Sequence, residues 1–275
     1  MAWYEGTMTN AAGQLVAILD DKLPLNSCWE IVDTPNTNER VYGHKFNGNR
    51  DFCVYVKDNQ ADYATIELWG DWDAQNHVGV GNSITTVDSY TFRIRKKGGG
   101  WGLRVTDNCF VLAVKGGGWA YYIGQAKRFD TSRNTPVFIG HLSNSGHTNY
   151  GMNPFSSSNF NSSTSSPIVW MFLRDSAGVA GNRASALGVS NGTIVASDAY
   201  VSKWPIKTTA GTYIVFESVL VEYSSPKLAI GRFDGSFCGW VDGAGLSNGD
   251  RINVEGVNWL VVLDGYNYAT LIRMD

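Results

Sequence analysis

Short apolar runs that alternate inward and outward dominate this chain. They are rich in Val, Ile, Tyr and Trp, and Gly, Asn, Asp and Ser separate them almost everywhere. Alternation with period two marks half-buried strands, and the intervening residues are turn formers. Strands are expected over Cys28–Val32, Arg40–Phe46, Phe52–Lys57, Tyr63–Trp69, Ser83–Arg95, Gly102–Val105, Cys109–Lys115 and Ala120–Arg128. Further strands are expected at Ile168–Leu173 and Tyr213–Tyr223. Asn47-Gly48-Asn49 and Asp58-Asn59 are the turn signals between the early ones.

One helix is expected, over residues 9–23. Thr9 or Asn10 would cap it, and Leu15, Val16, Ile18, Leu19 and Leu23 form its apolar stripe. Pro24 would stop it. At the other end, Gly249–Val262 reads as turn, strand, tight turn, strand. Ile252 and Val254 share one face, Glu255-Gly256 starts the tight turn, and Trp259, Val261 and Leu263 share a face on the return. Asp264-Gly265 would turn again into a last strand, Tyr268–Met274. The pattern gives an all-β fold: many short antiparallel strands in sandwich or barrel-like units, with one short N-terminal helix.

Residues 143–167 interrupt the pattern. Ser156–Ser166 is polar and free of charge, with Phe160 as its one aromatic ring, and cannot bury enough surface to fold alone. It reads as a loop or arm that orders against a neighbour. The expected organisation is an N-terminal β domain at 1–142, this arm at 143–167, and a C-terminal β domain at 168–275.

Two repeats are visible. Lys97-Gly98-Gly99-Gly100-Trp101 recurs as Lys115-Gly116-Gly117-Gly118-Trp119. A phosphate cradle would need a GK[ST] ending and a following helix, so wide hairpin tips are the reading. Tips flanked by Trp and Lys also present contact points, so Gly98, Gly99, Gly100, Trp101, Gly116, Gly117, Gly118, Trp119 and, on the arm, Phe160 are the candidate interaction residues. A weaker echo links Tyr122–Asp130 to Ala229–Asp234: in both, Ile-Gly precedes Arg-Phe-Asp.

Composition narrows the function. The formal charge is -3 and only 17% of the 275 residues are charged, which argues against a phosphate-neutralising nucleic-acid grip. Ten Trp and thirteen Tyr suit both β cores and interfaces. Cys28, Cys53, Cys109 and Cys238 are too widely spaced for a zinc site and read as small buried thiols. No signal peptide and no membrane-length apolar stretch is seen, so synthesis in the cytoplasm is expected. The sequons at Asn161 and Asn191 then carry no glycan.

Catalytic chemistry finds little purchase. Asp71, Asp73 and His77 resemble a metal cluster, but the glycine and closing glutamate of a calcium loop are absent, and a polar loop between strands is the reading. The four histidines, His44, His77, His141 and His147, accompany no GxSxG elbow. Glu67 and Glu217 lie in strand-like runs without a shared glycosidase motif. No enzymatic activity, cofactor or metal is expected. Trp, Tyr and Asn on strands and loops also suit a sugar-binding sandwich, against the alternative that the rings fill the core.

The opening Ala2-Trp3-Tyr4-Glu5-Gly6-Thr7 followed by a short helix resembles the start of virion structural proteins of tailed bacteriophages. Asn38–Tyr42, Val54–Lys57, Ile66–Asp73 with Asn76-His77, and the run from Cys109 to Gly124 resemble the same group, over about half the chain. The closing Gly-Asp-x-Ile-x-Val-x-Gly-x-x-Trp-x-Val pattern is similar to small β-barrels of phage head-completion and tail proteins. The resemblance implies a structural subunit of the neck or tail that is made in the host cytoplasm and resides in the virion. Its partners would be copies of itself in a ring and neighbouring neck or tail proteins, with no specific nucleic acid and no membrane. It carries over no catalytic residues. The alternative is a receptor- or carbohydrate-binding module of the tail tip or baseplate.

Overall fold

The structure is a computed structural model that describes residues 1–84, 92–129, 137–141, 170–174, 183–188, 216–222, 228–240, 245–263 and 268–275. The arm at 143–167, Phe160 with it, and the turn at Asp264-Gly265 lie outside these residues.

The first strand, β1 (Ala2–Met8), leads into α1 (Gln14–Lys22), which tightens into a 3-10 turn over Leu23–Leu25. A first sheet follows: β2 (Trp29–Asn36), β3 (Glu39–Phe46), β4 (Asn49–Lys57), β5 (Tyr63–Asp73), β6 (Val78–Ile84) and β7 (Arg93–Arg95). Its order is β2-β3-β4-β5-β6, with β7 also on β5. Ser83–Arg95, expected as one strand, is therefore β6 and β7 with residues 85–91 outside the description. The chain then crosses to a second sheet through β8 (Gly99–Val105), β9 (Cys109–Val114), β10 (Trp119–Gln125), β11 (Lys127–Arg128) and β12 (Val137–His141). It continues with β13 (Trp170–Arg174), β14 (Arg183–Gly188), β15 (Phe216–Glu222), β16 (Leu228–Trp240), β17 (Arg251–Val254), β18 (Val257–Leu263) and β19 (Tyr268–Arg273). The ladder runs β1-β8-β9-β10-β12-β13-β14-β15-β16-β19-β18-β17, all antiparallel, with β11 on β16. The β12–β13 pairing carries this ladder across the two ends of the polar arm.

The second sheet folds back on itself, and β9 explains why. Its six residues are all buried. Phe110, Leu112 and Val114 face α1 and the first sheet, in one core with Leu15, Leu19, Trp29, Phe52 and Ile66. Cys109, Val111 and Ala113 face the opposite way, in a second core with Phe233, Leu260, Val262 and Ile272 of β16, β18 and β19. A strand with apolar layers on both faces has no polar side, so its sequence is continuously apolar. A smaller cluster of Ile252, Trp259, Val261 and Leu271 lies on the far face of the C-terminal hairpin.

Both short hairpins follow the turn chemistry. Asn47-Gly48 and Glu255-Gly256 each place two residues at positive φ (51° and 80°, 52° and 82°), the twist that two-residue hairpins require. The echoing segments are neighbours: Lys127 pairs with Arg232 and Arg128 with Gly231. Phe233 is buried against Tyr122, whereas Phe129 is exposed.

The helix differs at its start from the expectation, beginning at Gln14. Thr9 does not cap it; the Thr9 hydroxyl donates to Gln14 Oε1 at 2.6 Å. The N-terminal N–H groups of Leu15 and Val16 donate instead to Asp58 Oδ2, at 2.7 and 3.3 Å, from the β4–β5 connection. At the other end the α-helix stops at Lys22 with Leu23 as its C-cap, as Pro24 requires, since Pro24 has no N–H to continue the ladder; it sits instead in the first turn of the 3-10 segment, where that N–H is not needed.

Tryptophan and glycine are paired by this architecture. A Cβ on Gly102 would lie 2.4 Å from the Trp3 ring, on Gly6 2.9 Å from Trp101, on Gly79 2.0 Å from Trp69, and on Gly117 2.4 Å from Trp119. In the first three pairs the indole covers strand backbone that a side chain would otherwise shield, the cross-strand device that compensates glycine in sheets, whereas Trp119 covers Gly117 within its own tip.

Candidate interaction surface

The glycine tracts come together, but not as two hairpin tips. Gly116–Gly118 is the tip between β9 and β10, with Gly118 left-handed at φ 67°. Gly98–Gly100 is the crossing from β7 in the first sheet to β8 in the second, and Gly99 and Gly100 already pair with Met8 and Thr7. The tracts pack on each other: a Cβ on Gly116 would lie 2.6 Å from the Gly98 carbonyl oxygen. Glycine is needed here for two backbones to approach.

The surrounding side chains also face inward to partners within the chain. Trp101 is buried in the main core, and its Nε1 donates to the Thr7 carbonyl at 3.2 Å. Trp119 is half-buried, with the Arg95 guanidinium 5.3 Å above its ring. Lys115 Nζ and Arg251 Nη2 reach the two oxygens of Glu5 at 3.2 and 2.5 Å, and Asn248 donates to the Lys115 carbonyl. This corner ties the first strand of the long ladder to the last.

The outer face of the first sheet is organised differently. Phe52, Val54 and Val56 on β4 and Ala64, Ile66 and Leu68 on β5 face the core. The alternate residues Cys53, Tyr55 and Lys57, and Thr65, Glu67 and Trp69, therefore face away. The register shift between Trp69 and Asp71 brings Trp72 onto this same face, where it packs with Val41 and Cys53. Trp72 is buried between Tyr55 (centroids 4.8 Å apart) and Trp69 (6.4 Å), which are half-buried.

A carboxylate holds each ring by its polar tip. Tyr55 Oη donates to Glu39 Oε2 at 2.6 Å, Trp69 Nε1 to Glu67 Oε2 at 3.1 Å, and Trp72 Nε1 to Asp33 Oδ2 at 2.7 Å. Lys57 Nζ lies 4.6 Å over the Tyr55 ring and donates to Glu67 Oε1 at 2.7 Å. Burial pushes the Cys53 thiol up to about 12, so it is not a reactive thiolate.

Burial acts to raise the Glu39 carboxyl, but hydrogen bonds from Tyr55, Asn36 and Asn59 outweigh it and hold the group below its ordinary value. Asp33 is likewise lowered, with hydrogen bonds from His77, Trp72 and the Thr34 N–H outweighing burial. A depressed carboxyl contributes stability that is complete above its unfolded pKa and is lost as pH falls through the folded one. The thermal midpoint should therefore drop as pH falls from 5 to 3. Glu39→Gln should cost about 1–3 kcal/mol at pH 7, by setting an amide against three donors, and should flatten that acid dependence. Equal acid slopes in both proteins would rule Glu39 out as the source.

The other sequence candidates are separate. Asp73 closes the β5–β6 hairpin by accepting from the Gln75 and Asn76 N–H groups, at 2.9 and 3.1 Å, and from the Asn76 amide at 2.7 Å. His77 Nδ1 meets Asp33 at 2.8 Å. Among the described residues no three His, Cys, Asp or Glu side chains are placed to hold a metal ion. His44 is buried, with its Nε2 donating to the Asp107 carbonyl at 2.7 Å. Glu67 is on β5, whereas Glu217 is on β15 of the other sheet. His147 lies outside the described residues. Among the described residues no helix is long and apolar enough to cross a membrane.

The outer-face rings were not singled out from sequence. The signal was the alternation on β4 and β5, but both faces carry large apolar residues, so periodicity alone did not say which one faces out. Compared with known proteins, the chain matches no family model and no curated protein.

Proposed function

We propose that the chain is a structural subunit of a tailed-bacteriophage virion, located in the neck or tail and working as a ring of identical copies. The resemblance of its segments to that group supports the reading, and one observation carries it: the edge of the first sheet. Among the described residues β6, with β13 of the second sheet lying against part of it, forms ladder hydrogen bonds only with β5. Its Val78-Gly79-Val80-Gly81 start has no Pro or charged residue, the usual guards of an edge, whereas β2 at the opposite edge carries Asp33 and Pro35. Val78 and Val80 are 50% and 45% exposed. Phe46, 56% exposed on the β3–β4 hairpin, shares this end of the sheet, since the neighbouring Arg50 reaches Asp71 opposite Val80.

A stretch of edge with no charge or Pro and with exposed apolar side chains at Val78 and Val80 is suited to receive a strand from a neighbour. When the contact is head-to-tail and its rotation closes, copies form a ring. Light scattering on the purified protein should give one discrete oligomer, with rings in electron micrographs, and Val80→Asp should shift it to monomer. A wild-type protein that stays monomeric at high micromolar concentration and is absent from particles would sink the reading.

A further inference from the structure

We infer that the outer face of the first sheet, with Tyr55 and Trp69 flanking the buried Trp72, is a binding platform for uncharged pyranose glycans. This goes beyond the subunit reading: it uses the outer face of the sheet, which adjoins the Val78–Gly81 edge at Gly79.

The first ground is the attitude of Trp69. A Cβ on Gly79 would meet three atoms of its indole, Cδ2, Cε3 and Cε2, at 2.0–2.4 Å. Three nearly equal distances place the ring flat over the β6 backbone. One face rests on Gly79, and in this half-buried residue the other is turned away from the sheet. A flat ring of this kind offers the C–H face of a sugar a large, rigid contact at low entropic cost.

The second ground is rigidity. The Nε1 of Trp69 is held by Glu67, the tip of Tyr55 by Glu39, and Trp72 between them by Asp33. Rings fixed before binding lose little freedom when a ligand arrives.

The third ground is charge, which selects the ligand. Glu39, Glu67 and Asp33 carry negative charge beside the rings, and Asp71 extends it along β5. Lys57 is engaged with Glu67, and Arg50 with Asp71 and Glu30. Anionic sugars would meet like charge, whereas sugar hydroxyls can donate to the exposed Asp71 carboxylate. A shallow, partly polar aromatic face thus fits a neutral hexose or N-acetylhexosamine chain.

The test is an array of uncharged hexose and N-acetylhexosamine oligosaccharides beside sialylated and sulfated ones, probed with the full-length protein. Hits are then titrated by tryptophan fluorescence. The expected result is millimolar to micromolar binding to uncharged members only. Trp69→Ala, which uncovers Gly79 and Trp72, should lower the thermal midpoint yet keep the wild-type circular dichroism at the assay temperature, and Tyr55→Phe should shift the midpoint less. Trp69→Ala should weaken binding at least tenfold. Trp69→Phe should retain part of the affinity, which a general unfolding effect would not allow. No hit on the array, hits confined to acidic glycans, or binding unchanged in Trp69→Ala would each overturn the inference. Loss of ring assembly without loss of glycan binding would count against the subunit reading alone.

Discussion

Replacing Lys96 by Met should destabilise the protein by about 3–5 kcal/mol, the cost of leaving a buried charge without its partner. Lys96 and Asp58 are both fully buried, and they form an ion pair. Lys96 Nζ also donates to the carbonyls of Ala11 and Gln60, at 2.7 and 2.6 Å. Asp58 in turn caps α1 through the Leu15 and Val16 N–H groups. One pair therefore ties the segment before the helix, the helix itself, the β4–β5 connection and the residue after β7. Burial pushes the Asp58 carboxyl up, against the pull of Lys96 and the two N–H groups.

Without Lys96 that carboxyl rises further and takes up a proton. The variant's deficit should then shrink as pH falls below the raised value and widen as pH rises through it, because the folded state then binds the proton more tightly than the unfolded chain. Urea unfolding at pH 5 and pH 8 measures this. Asp58→Asn combined with Lys96→Met should cost less than the sum of the single changes, since it removes both charges together. A deficit below about 1 kcal/mol that is flat with pH would show that the pair is not dry.

These residues also mark where sequence reasoning stops. Asp58-Asn59 reads as a turn, and it is one, but nothing local says that the carboxylate reaches a helix start 42 residues earlier. Thr9 and Asn10 were the better local candidates for the cap. The hairpins at Asn47-Gly48 and Glu255-Gly256 were legible because two-residue turns are set by their own dihedrals. So were the faces of the C-terminal hairpin: Ile252, Trp259 and Val261 share one cluster, as alternation required. β9 was legible as a strand, yet its unbroken apolar run left open what covered each side.

The abundance of Gly and Trp shows the same limit. Each was readable as a composition, Gly for turns and Trp for cores or interfaces. Their pairing was not, because Gly79 meets Trp69, and Gly102 meets Trp3, only through strand register. The glycine tracts were visible as a repeat. Their mutual packing depends on one being a crossing between sheets, which no local signal encodes.

Gly124→Ala should be among the most damaging small substitutions in the described residues, at about 4 kcal/mol from strain and overpacking together. Gly124 ends the β10 pairing with β9 at φ 129°, a region that L-residues rarely enter. An added Cβ would lie 2.5 Å from the Asn108 carbonyl oxygen and 2.7 Å from the Cys109 Cα. Neither is a side chain that can swing away. The Asn108 oxygen is also the acceptor for the Gln125 N–H at 2.8 Å, so moving it breaks the bond that closes the ladder. The companion measurement is Gly256→Ala. Gly256 also has positive φ, 82°, but a Cβ there meets nothing within 4 Å. Its cost should be strain alone, about 1–2 kcal/mol. The difference in urea midpoint between the two variants measures the clash in the middle layer together with the greater strain at φ 129°. If the two cost the same, the β9–β10 end has room to relax, and the close approach of these strands is not what demands glycine at 124.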